Sequence, residues 1–302
     1  MIRCVWASLL SFLLLGCARN AEHVVLYTSQ DQFYAEPILA EFTKDTGIEV
    51  RPVFDTESAK TAALAHRLRA EKTNPQCDVF WSNEEMHGRL LARDGVLVSD
   101  SLQKVGFRTR QLVINTNFLK TADAPKSLTE LTQTKWKGKV VLAYPLFGTT
   151  SYHFLALRQH WGDPAWREWC NGLIRNEAKV VDGNSVVVKL VGAGECWIGL
   201  TDSDDIAAGL RQGLPITAVP NFVESLVIGN TIALAKGAPH QSAARILADY
   251  LGRHDTLQRL VDLGAIDGIQ PSSVKSIEVD WTDPLANLDE MNEILKQIFL
   301  RS

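Results

Sequence analysis

The sequence lacks the features that most often reveal a function directly. Basic side chains do not outnumber acidic ones: 31 Lys and Arg stand against 35 Asp and Glu among 302 residues, a net charge of −4. This balance disfavours a nucleic-acid partner, which normally requires a basic surface. No G-x-S-x-G, G-x-x-x-x-G-K-[ST] or H-E-x-x-H motif occurs, and the seven histidines show no metal-ligand spacing. We therefore do not expect an enzyme.

Cysteine is also scarce, with five residues in the whole chain. Apart from two cysteines near the N-terminus, only Cys77, Cys170 and Cys196 remain. Three cysteines allow at most one internal disulfide. Two interpretations stay open: a bond between Cys170 and Cys196, or three buried free thiols.

A long hydrophobic run occurs only at the N-terminus. Val5–Leu15 follows Arg3 and contains no charge, but it is shorter than the roughly 20 residues that span a bilayer. This pattern is typical of an export signal. The run Leu14-Leu15-Gly16-Cys17 resembles the bacterial lipobox, in which the cysteine is lipidated. We predict a lipoprotein signal peptide over residues 1–17, lipidation at Cys17, and a periplasmic or cell-surface protein anchored to a membrane. A plain cleavable signal is the alternative.

The remainder of the chain alternates short β-rich runs with helical periodicity, which predicts an α/β fold with parallel sheets covered by helices. Apolar residues make up 46% and charged residues 22%, as in soluble globular proteins. The predicted strands are His23–Thr28, Glu49–Phe54, Asp78–Trp81, Gln111–Asn115, Val140–Ala143, Ala178–Val181, Cys196–Leu200 and Thr231–Leu234. The predicted helices are Phe33–Thr46, Ser58–Glu71, Glu85–Arg93, Tyr152–His160, Ala165–Arg175, Ser242–Leu251, Thr256–Leu263 and Leu288–Phe299, and two more begin at Val186 and Ile206.

The loops that follow the strands are the candidate ligand sites, because open α/β sheets bind ligands beyond the carboxyl ends of their strands. The loops at 28–32, 82–85, 146–151, 182–185 and 201–205 are all polar or contain glycine. Their shared character predicts one polar cleft.

Two of these loops open helices with small polar residues. Gly148, Thr149 and Thr150 precede one helix, where free backbone N–H groups attract anions and hydroxyls add hydrogen bonds. Asn184 opens the other helix and has an amide that a ligand could use. Ordinary helix capping is the alternative for both segments.

The most acidic segment, Thr201–Asp205, contains Asp202, Asp204 and Asp205 within four positions. Carboxylates in a first helical turn are stabilised by the helix dipole, typically by about 0.3–1 kcal/mol each. Carboxylate oxygens are also the ligands that hard cations prefer. A helix cap and a cation site therefore both remain open.

Four segments together resemble one protein family. In order, they are Val25–Asp31 (VLYTSQD), Cys77–Glu84 (CDVFWSNE), Trp136–Val140 (WKGKV) and Thr201–Asp205 (TDSDD). They resemble bacterial extracellular solute-binding proteins of ABC importers, of the ferric-ion-binding type, over roughly residues 24–270. The resemblance implies a type II-like fold of two lobes that close like a hinge about crossing strands near Gln111–Asn115 and Val223–Ile228. Lobe 1 would comprise 18–113 and 227–302, and lobe 2 would comprise 114–226.

The resemblance also implies a ligand set. In the iron-binding members, a histidine, a glutamate and two adjacent tyrosines hold ferric ion. This sequence has Asp31 at the histidine position, Asn83 or Glu84 at the glutamate position, and Asp204 with Asp205 at the tyrosine positions. The implied metal ligands are Asp31, Glu84, Asp204 and Asp205. The implied ligand-binding set adds Ser29, Asn83, Gly148, Thr149, Thr150, Asn184 and Asp202, of which Gly148, Thr149, Thr150 and Asn184 match the family's companion-anion site.

The expected function is the capture of a small solute and its delivery to ABC permease subunits by a membrane-anchored, monomeric binding protein without a resident cofactor. Ferric ion with phosphate or carbonate is the first expected ligand. An aminoalkylphosphonate, or another phosphorylated or cationic solute, is the rival. A sensor or adaptor lipoprotein, and a secreted hydrolase using Asp204 and Asp205, are more remote alternatives. Replacement of both aspartates by alanine is expected to abolish binding and leave the fold intact.

Overall fold

The computed structural model describes residues 22–55, 62–220, 222–272, 274–281 and 288–300. The predicted signal peptide with Cys17, and the first residues of the predicted helix Ser58–Glu71, lie outside these ranges. Across the ranges described, no helix is both long and apolar enough to cross a bilayer.

The first lobe is built on a sheet in the order β2-β1-β3-β9-β4. Strands β1, β2 and β3 are parallel, whereas β9 runs antiparallel to both β3 and β4. The bounds are β1 His23–Thr28, β2 Glu49–Phe54, β3 Val79–Ser82, β4 Gln103–Asn115 and β9 Val227–Leu234. The helices of this lobe are α1 Gln32–Thr46, α2 Ala62–Ala70, α3 Glu85–Arg93, α8 Gln241–Leu251 and α9 His254–Asp262.

The second lobe continues the same sheet in the order β4-β7-β5-β6, and β8 pairs with the end of β4. Its remaining strands are β5 Val140–Ala143, β6 Lys179–Val181, β7 Ile198–Asp202 and β8 Ile216–Ala218. Its helices are α4 Gly148–Trp161, α5 Asp163–Arg175, α6 Asn184–Gly192 and α7 Ser203–Arg211. Strands β5, β6 and β7 are parallel, so their carboxyl ends meet at one edge.

Strand β4 belongs to both lobes, because it pairs first with a strand of one lobe and then with a strand of the other. Residues 103–109 pair with β9, and residues 110–114 pair with β7. The sequence predicts only the apolar end of this strand, Gln111–Asn115, because Lys104, Arg108 and Arg110 interrupt the hydrophobic pattern of the first half. The point where β4 changes partners lies between Thr109 and Arg110.

Each lobe has its own hydrophobic core. In the first lobe β1 and β3 pack against α1 and α8, with Phe42 and Leu247 fully buried. The second-lobe core contains Phe154 and Trp166. The C-terminal helix α10, Leu288–Phe299, packs into this second core with its predicted apolar stripe Leu288, Met291, Ile294, Leu295 and Ile298. The prediction that this stripe is core packing is confirmed, but its helix lies on lobe 2 and not on lobe 1.

The three cysteines within the described ranges are free and buried. The interpretation of a Cys170–Cys196 disulfide is therefore wrong, and the alternative of buried thiols is confirmed. Burial raises the pKa of the Cys77 and Cys170 thiols well above the ordinary value. Both side chains act as small apolar core residues.

Candidate functional site

Three helices of the second lobe begin around one pocket. One open recess is lined by the start of α4, by the start of α6 and by Asp202, which precedes α7. None of these three helix starts has a side-chain cap hydrogen bond. The lining residues are Asn83, Ala143, Tyr144, Phe147, Gly148, Thr149, Thr150, Asp182, Gly183, Asn184 and Asp202.

Helix α4 begins with a conformation that requires glycine. Gly148 has φ +55°, a region where a side chain is strained. The first intrahelical bond is from the N–H of Ser151 to the carbonyl of Phe147, at 3.1 Å. The N–H groups of Gly148, Thr149 and Thr150 therefore precede the helical ladder and lie at the positive end of the helix dipole. This geometry suits an anion.

The carboxylate of Asp202 is the centre of the polar network. Its Oδ2 accepts hydrogen bonds from the Thr149 hydroxyl at 2.6 Å and the Asn184 amide at 3.1 Å. Its Oδ1 accepts from Arg110 Nη1 at 2.6 Å, and Arg108 Nη2 lies 3.5 Å from Oδ2. The helix-capping interpretations of Thr149, Asn184 and Asp202 are therefore wrong, because these side chains bond to one another and to arginine.

The arginines reach this carboxylate because of the β4 register. Arg108 and Arg110 are two residues apart, so both side chains project from one face of the strand. Arg110 is directly opposite Asp202 in the β4–β7 pairing. Burial alone would lower the pKa of Arg108, but the carboxylates of Asp204 and Asp202 raise it overall. Burial would likewise raise the pKa of Asp202, but Arg110 and Arg108 hold it below its ordinary value.

The acidic run forms the first turn of α7, as the sequence predicts. Asp204 forms a buried ion pair with Arg108 Nη1, and Asp205 is also buried. Ligand oxygens of Asp202, Asp204 and Asp205 can be chosen within 4.8 Å of one another. Two of the three carboxylates are nevertheless engaged by arginine. A cation at this point would have to compete with a guanidinium.

The first lobe contributes Asn83 to the pocket. Ser29 orients Asn83: the Ser29 hydroxyl donates to Asn83 Oδ1 at 3.0 Å and accepts from the Asn83 N–H at 2.9 Å. Asp31 lies immediately before α1 and is partly exposed. Its carboxylate also raises the pKa of Arg108, but by less than the carboxylates of Asp204 and Asp202. Ser29 and Asp31 are thus near the site but do not line the pocket.

Glu84 is positioned differently from the prediction. Its fully buried carboxylate accepts hydrogen bonds from the N–H groups of Met86 and His87 and lies 2.8 Å from His87 Nδ1. Glu84 therefore caps α3 and is not directed into the pocket. This geometry does not fit an assignment of Glu84 as a metal ligand. Of the two residues that the sequence offered for the family's glutamate position, Asn83 is the one that lines the pocket.

Two arginines form polar contacts between the lobes. Arg108 donates to the carbonyl of Asn83 at 3.2 Å while it pairs with Asp204 of the second lobe. Arg211, at the end of α7, donates to the Tyr34 hydroxyl and, at 3.0 Å, to the carbonyl of Leu263. Guanidinium groups therefore contribute polar contacts between the lobes.

Sequence reasoning missed Arg108 and Arg110. The available signal was the alternation Arg-Thr-Arg immediately before the apolar run Leu112–Ile114. Two charges two positions apart on a buried strand imply buried counter-charges, since isolated buried charges are costly. The nearby aspartates of TDSDD were the available partners.

The two lobes, the shared strand and a polar pocket at the carboxyl ends of parallel strands define a solute-binding protein of the two-lobed type. The chain belongs to the family of bacterial extracellular solute-binding proteins, whose sequence profile matches residues 24–264. The family resemblance and the predicted fold class are confirmed.

Individual relatives are distant in sequence. The chain is 24% identical over 297 residues to the major ferric iron-binding protein of Neisseria meningitidis serogroup B, covering 88% of this chain and 86% of the relative. Iron-bound HitA from Pseudomonas aeruginosa superposes with a TM-score of 0.76 at 18% identity, over 92% and 99% of the two chains. The periplasmic binding protein AfuA from Actinobacillus pleuropneumoniae, with fructose-6-phosphate bound, superposes with a TM-score of 0.77 at 18% identity, over 91% and 97%. These structural similarities establish the fold.

Proposed function

We propose that this protein captures a small solute with a phosphoryl head group, a phosphate or phosphonate, and delivers it to the permease of an ABC importer. The observation that carries the proposal is the convergence of the α4, α6 and α7 starts on one pocket without side-chain caps. Uncapped helix N-termini bind phosphate through backbone N–H groups and the helix dipole. AfuA, with its bound sugar phosphate, has the same fold.

Ferric ion with phosphate or carbonate is the second candidate. It is favoured by the close carboxylates of Asp202, Asp204 and Asp205 and by the names of the relatives. Two features weigh against it: Asp202 and Asp204 are already paired with Arg108 and Arg110, and Glu84 caps a helix. The phosphoryl ligand needs no such rearrangement, so we rank it first.

The cellular setting belongs to the same proposal. Export through residues 1–17 and lipidation at Cys17 would hold the protein at a membrane beside its permease subunits, as a monomer that carries out no chemistry. Mass spectrometry of the protein purified from its native membrane tests the anchor. A mature chain that begins at Cys17 with added acyl mass supports it, and an unmodified N-terminus contradicts it.

Thermal unfolding of the soluble chain, begun after Cys17, tests the ligand class. The probes are fructose-6-phosphate, 2-aminoethylphosphonate, and ferric citrate with and without phosphate. A ligand at 100 times its Kd adds about 2.7 kcal/mol and raises Tm by several degrees. A shift with either phosphoryl compound supports the proposal. A shift that requires ferric ion replaces it with the second candidate.

A further inference from the structure

Two histidines meet at the edge of the first-lobe sheet that is opposite the pocket. His23 begins β1, and His240 immediately precedes α8. Their ring centroids lie 4.2 Å apart, with an angle of 52° between the ring planes. His23 is at the amino end of β1, whereas the pocket is reached from the carboxyl end, roughly 17 Å further along the strand. The pair therefore lies outside the solute site.

The ring of His240 is held in one orientation and one tautomer by Asp78. The fully buried Asp78 carboxylate lies 2.8 Å from Nδ1 of His240 and also accepts the backbone N–H groups of His240 and Val25, each at 2.8 Å. An ionised carboxylate can only accept hydrogen bonds, so Nδ1 carries the proton and Nε2 carries a lone pair. Metal-binding histidines almost always donate their other ring N–H to a carboxylate, a carbonyl or water in this way.

The remaining ring nitrogens of the pair are accessible. The His240 side chain is 32% exposed, and His23 is also partly exposed. Among the described residues, neither Nε2 of His240 nor a ring nitrogen of His23 has a hydrogen-bond partner. Each imidazole therefore retains a nitrogen lone pair, the type of ligand that suits Cu²⁺, Ni²⁺ and Zn²⁺.

The spacing of the two rings indicates which metal geometry fits. Two imidazoles with metal–nitrogen distances of about 2.1 Å have centroids about 4.5 Å apart when their bonds to the metal form a right angle, and about 5 Å apart in a tetrahedron. The observed 4.2 Å is nearer the first value. Right angles are typical of tetragonal Cu²⁺ and Ni²⁺ sites, whereas Zn²⁺ is mostly tetrahedral.

A carboxylate beside the pair favours the binding of a cation. Glu49 is the partner of His23 in the parallel β1–β2 register, so the two side chains project from the same face of the sheet. The pKa of Glu49 is lowered, first by its hydrogen bond with Arg51 and further by the charge of His23. Both side chains of the Arg51–Glu49 pair are about half exposed, and such pairs contribute little to stability. Glu49 can therefore turn toward a bound metal at little cost.

We propose that His23 and His240 bind a divalent transition-metal ion, Cu²⁺ or Ni²⁺, at a site remote from the solute pocket, and that Asp78 orients His240 for this role. The two histidines lie near opposite ends of the sequence, so residue spacing could not predict the site. A metal here joins β1 to the segment before α8 and stabilises the first lobe. The inference does not depend on which solute the pocket binds.

Isothermal titration calorimetry with nickel chloride at mildly alkaline pH tests the site. The protein is purified from its membrane in detergent and without a polyhistidine tag, which would itself bind the metal. We expect one Ni²⁺ per chain and at least about tenfold weaker binding in His23→Gln and in His240→Gln. The matched control is His254→Gln, which changes an exposed histidine of the same lobe and should keep the wild-type affinity. Absence of binding to the wild type, or wild-type affinity in both His23→Gln and His240→Gln, would overturn the inference.

Replacement of Asp78→Asn tests the orienting role. Loss of the carboxylate that fixes the His240 ring should weaken Ni²⁺ binding about 10–100-fold. Thermal unfolding without metal shows whether each variant is folded. His23→Gln changes a partly exposed side chain and decides the inference even when Asp78→Asn does not fold. Wild-type affinity in folded Asp78→Asn would overturn the role of Asp78.

Electron paramagnetic resonance of the protein loaded with one equivalent of Cu²⁺ identifies the ligand atoms. Hyperfine splitting from two imidazole nitrogens, reduced to one in His23→Gln, supports the site. A spectrum with oxygen ligands alone, as the carboxylates of Asp202, Asp204 and Asp205 would give, overturns the inference.

Discussion

Replacement of Arg108→Met should strongly destabilise the protein, because it removes the guanidinium that forms an ion pair with the buried Asp204 carboxylate. The side chains of Arg108 and Asp204 are only 3% and 5% exposed. Removing one member of a buried ion pair typically costs about 3–5 kcal/mol, whereas replacing both by apolar residues is often neutral. We therefore expect a loss of that size in the single variant and recovery of most of it in Arg108→Met with Asp204→Leu.

Urea unfolding followed by tryptophan fluorescence measures both variants, with the free energy taken from the midpoint and slope. The control is Arg253→Met, which breaks the exposed pair with Asp255 and should not change the midpoint measurably. A loss below about 1 kcal/mol in Arg108→Met, or a double variant less stable than the single one, would refute a desolvated ion pair.

The ion pair between Arg108 and Asp204 changes the effect on the fold that we expect from replacing Asp204. Replacement of Asp204 and Asp205 by alanine was expected to leave the fold intact. Because Arg108 is buried against Asp204, removal of this carboxylate leaves a buried cation whose Nε already has no hydrogen-bond partner. The double alanine variant should therefore lose stability as well as binding, and it cannot distinguish a ligand contact from a structural one.

Three further predictions concern single residues. Gly148→Ala should cost about 1–2 kcal/mol in urea unfolding and weaken phosphate binding, whereas Gly213→Ala, at φ +75° with open space around it, should reduce only stability. A thiol reagent should label Cys77 and Cys170 only after denaturation, because burial raises both thiol pKa values; rapid labelling of the native protein would contradict this. Burial lowers the pKa of His153 to about 3, below the unfolded value of about 6.5. Its contribution to stability is therefore complete above about pH 6.5 and is lost as the pH falls toward 3. His153→Gln should accordingly lose less stability than the wild type between about pH 7 and pH 4.5, and equal losses would refute this assignment.

The sequence by itself determined the local elements of the fold. The bounds of β1, β2, β5, α3 and α10 match the prediction. The sequence also shows that small polar residues and acids follow the strands. Parallel strands place their carboxyl ends at one edge of the sheet, so these residues are expected to lie close together there. Gly148, Thr149, Asn184 and Asp202 accordingly line one pocket.

Only the tertiary structure decided which groups are bonded to which. The sequence could not show that Arg108 and Arg110 lie against TDSDD, because the partners are more than 90 residues apart and meet only through the β4–β7 register. The sequence could not show which of Asn83 and Glu84 takes the family's glutamate position. In the structure the Glu84 carboxylate caps α3, because that helix begins one residue later. Asp202 and Asp204 of the acidic run are ion-paired with these arginines, since buried carboxylates are stable beside buried arginines and costly without them.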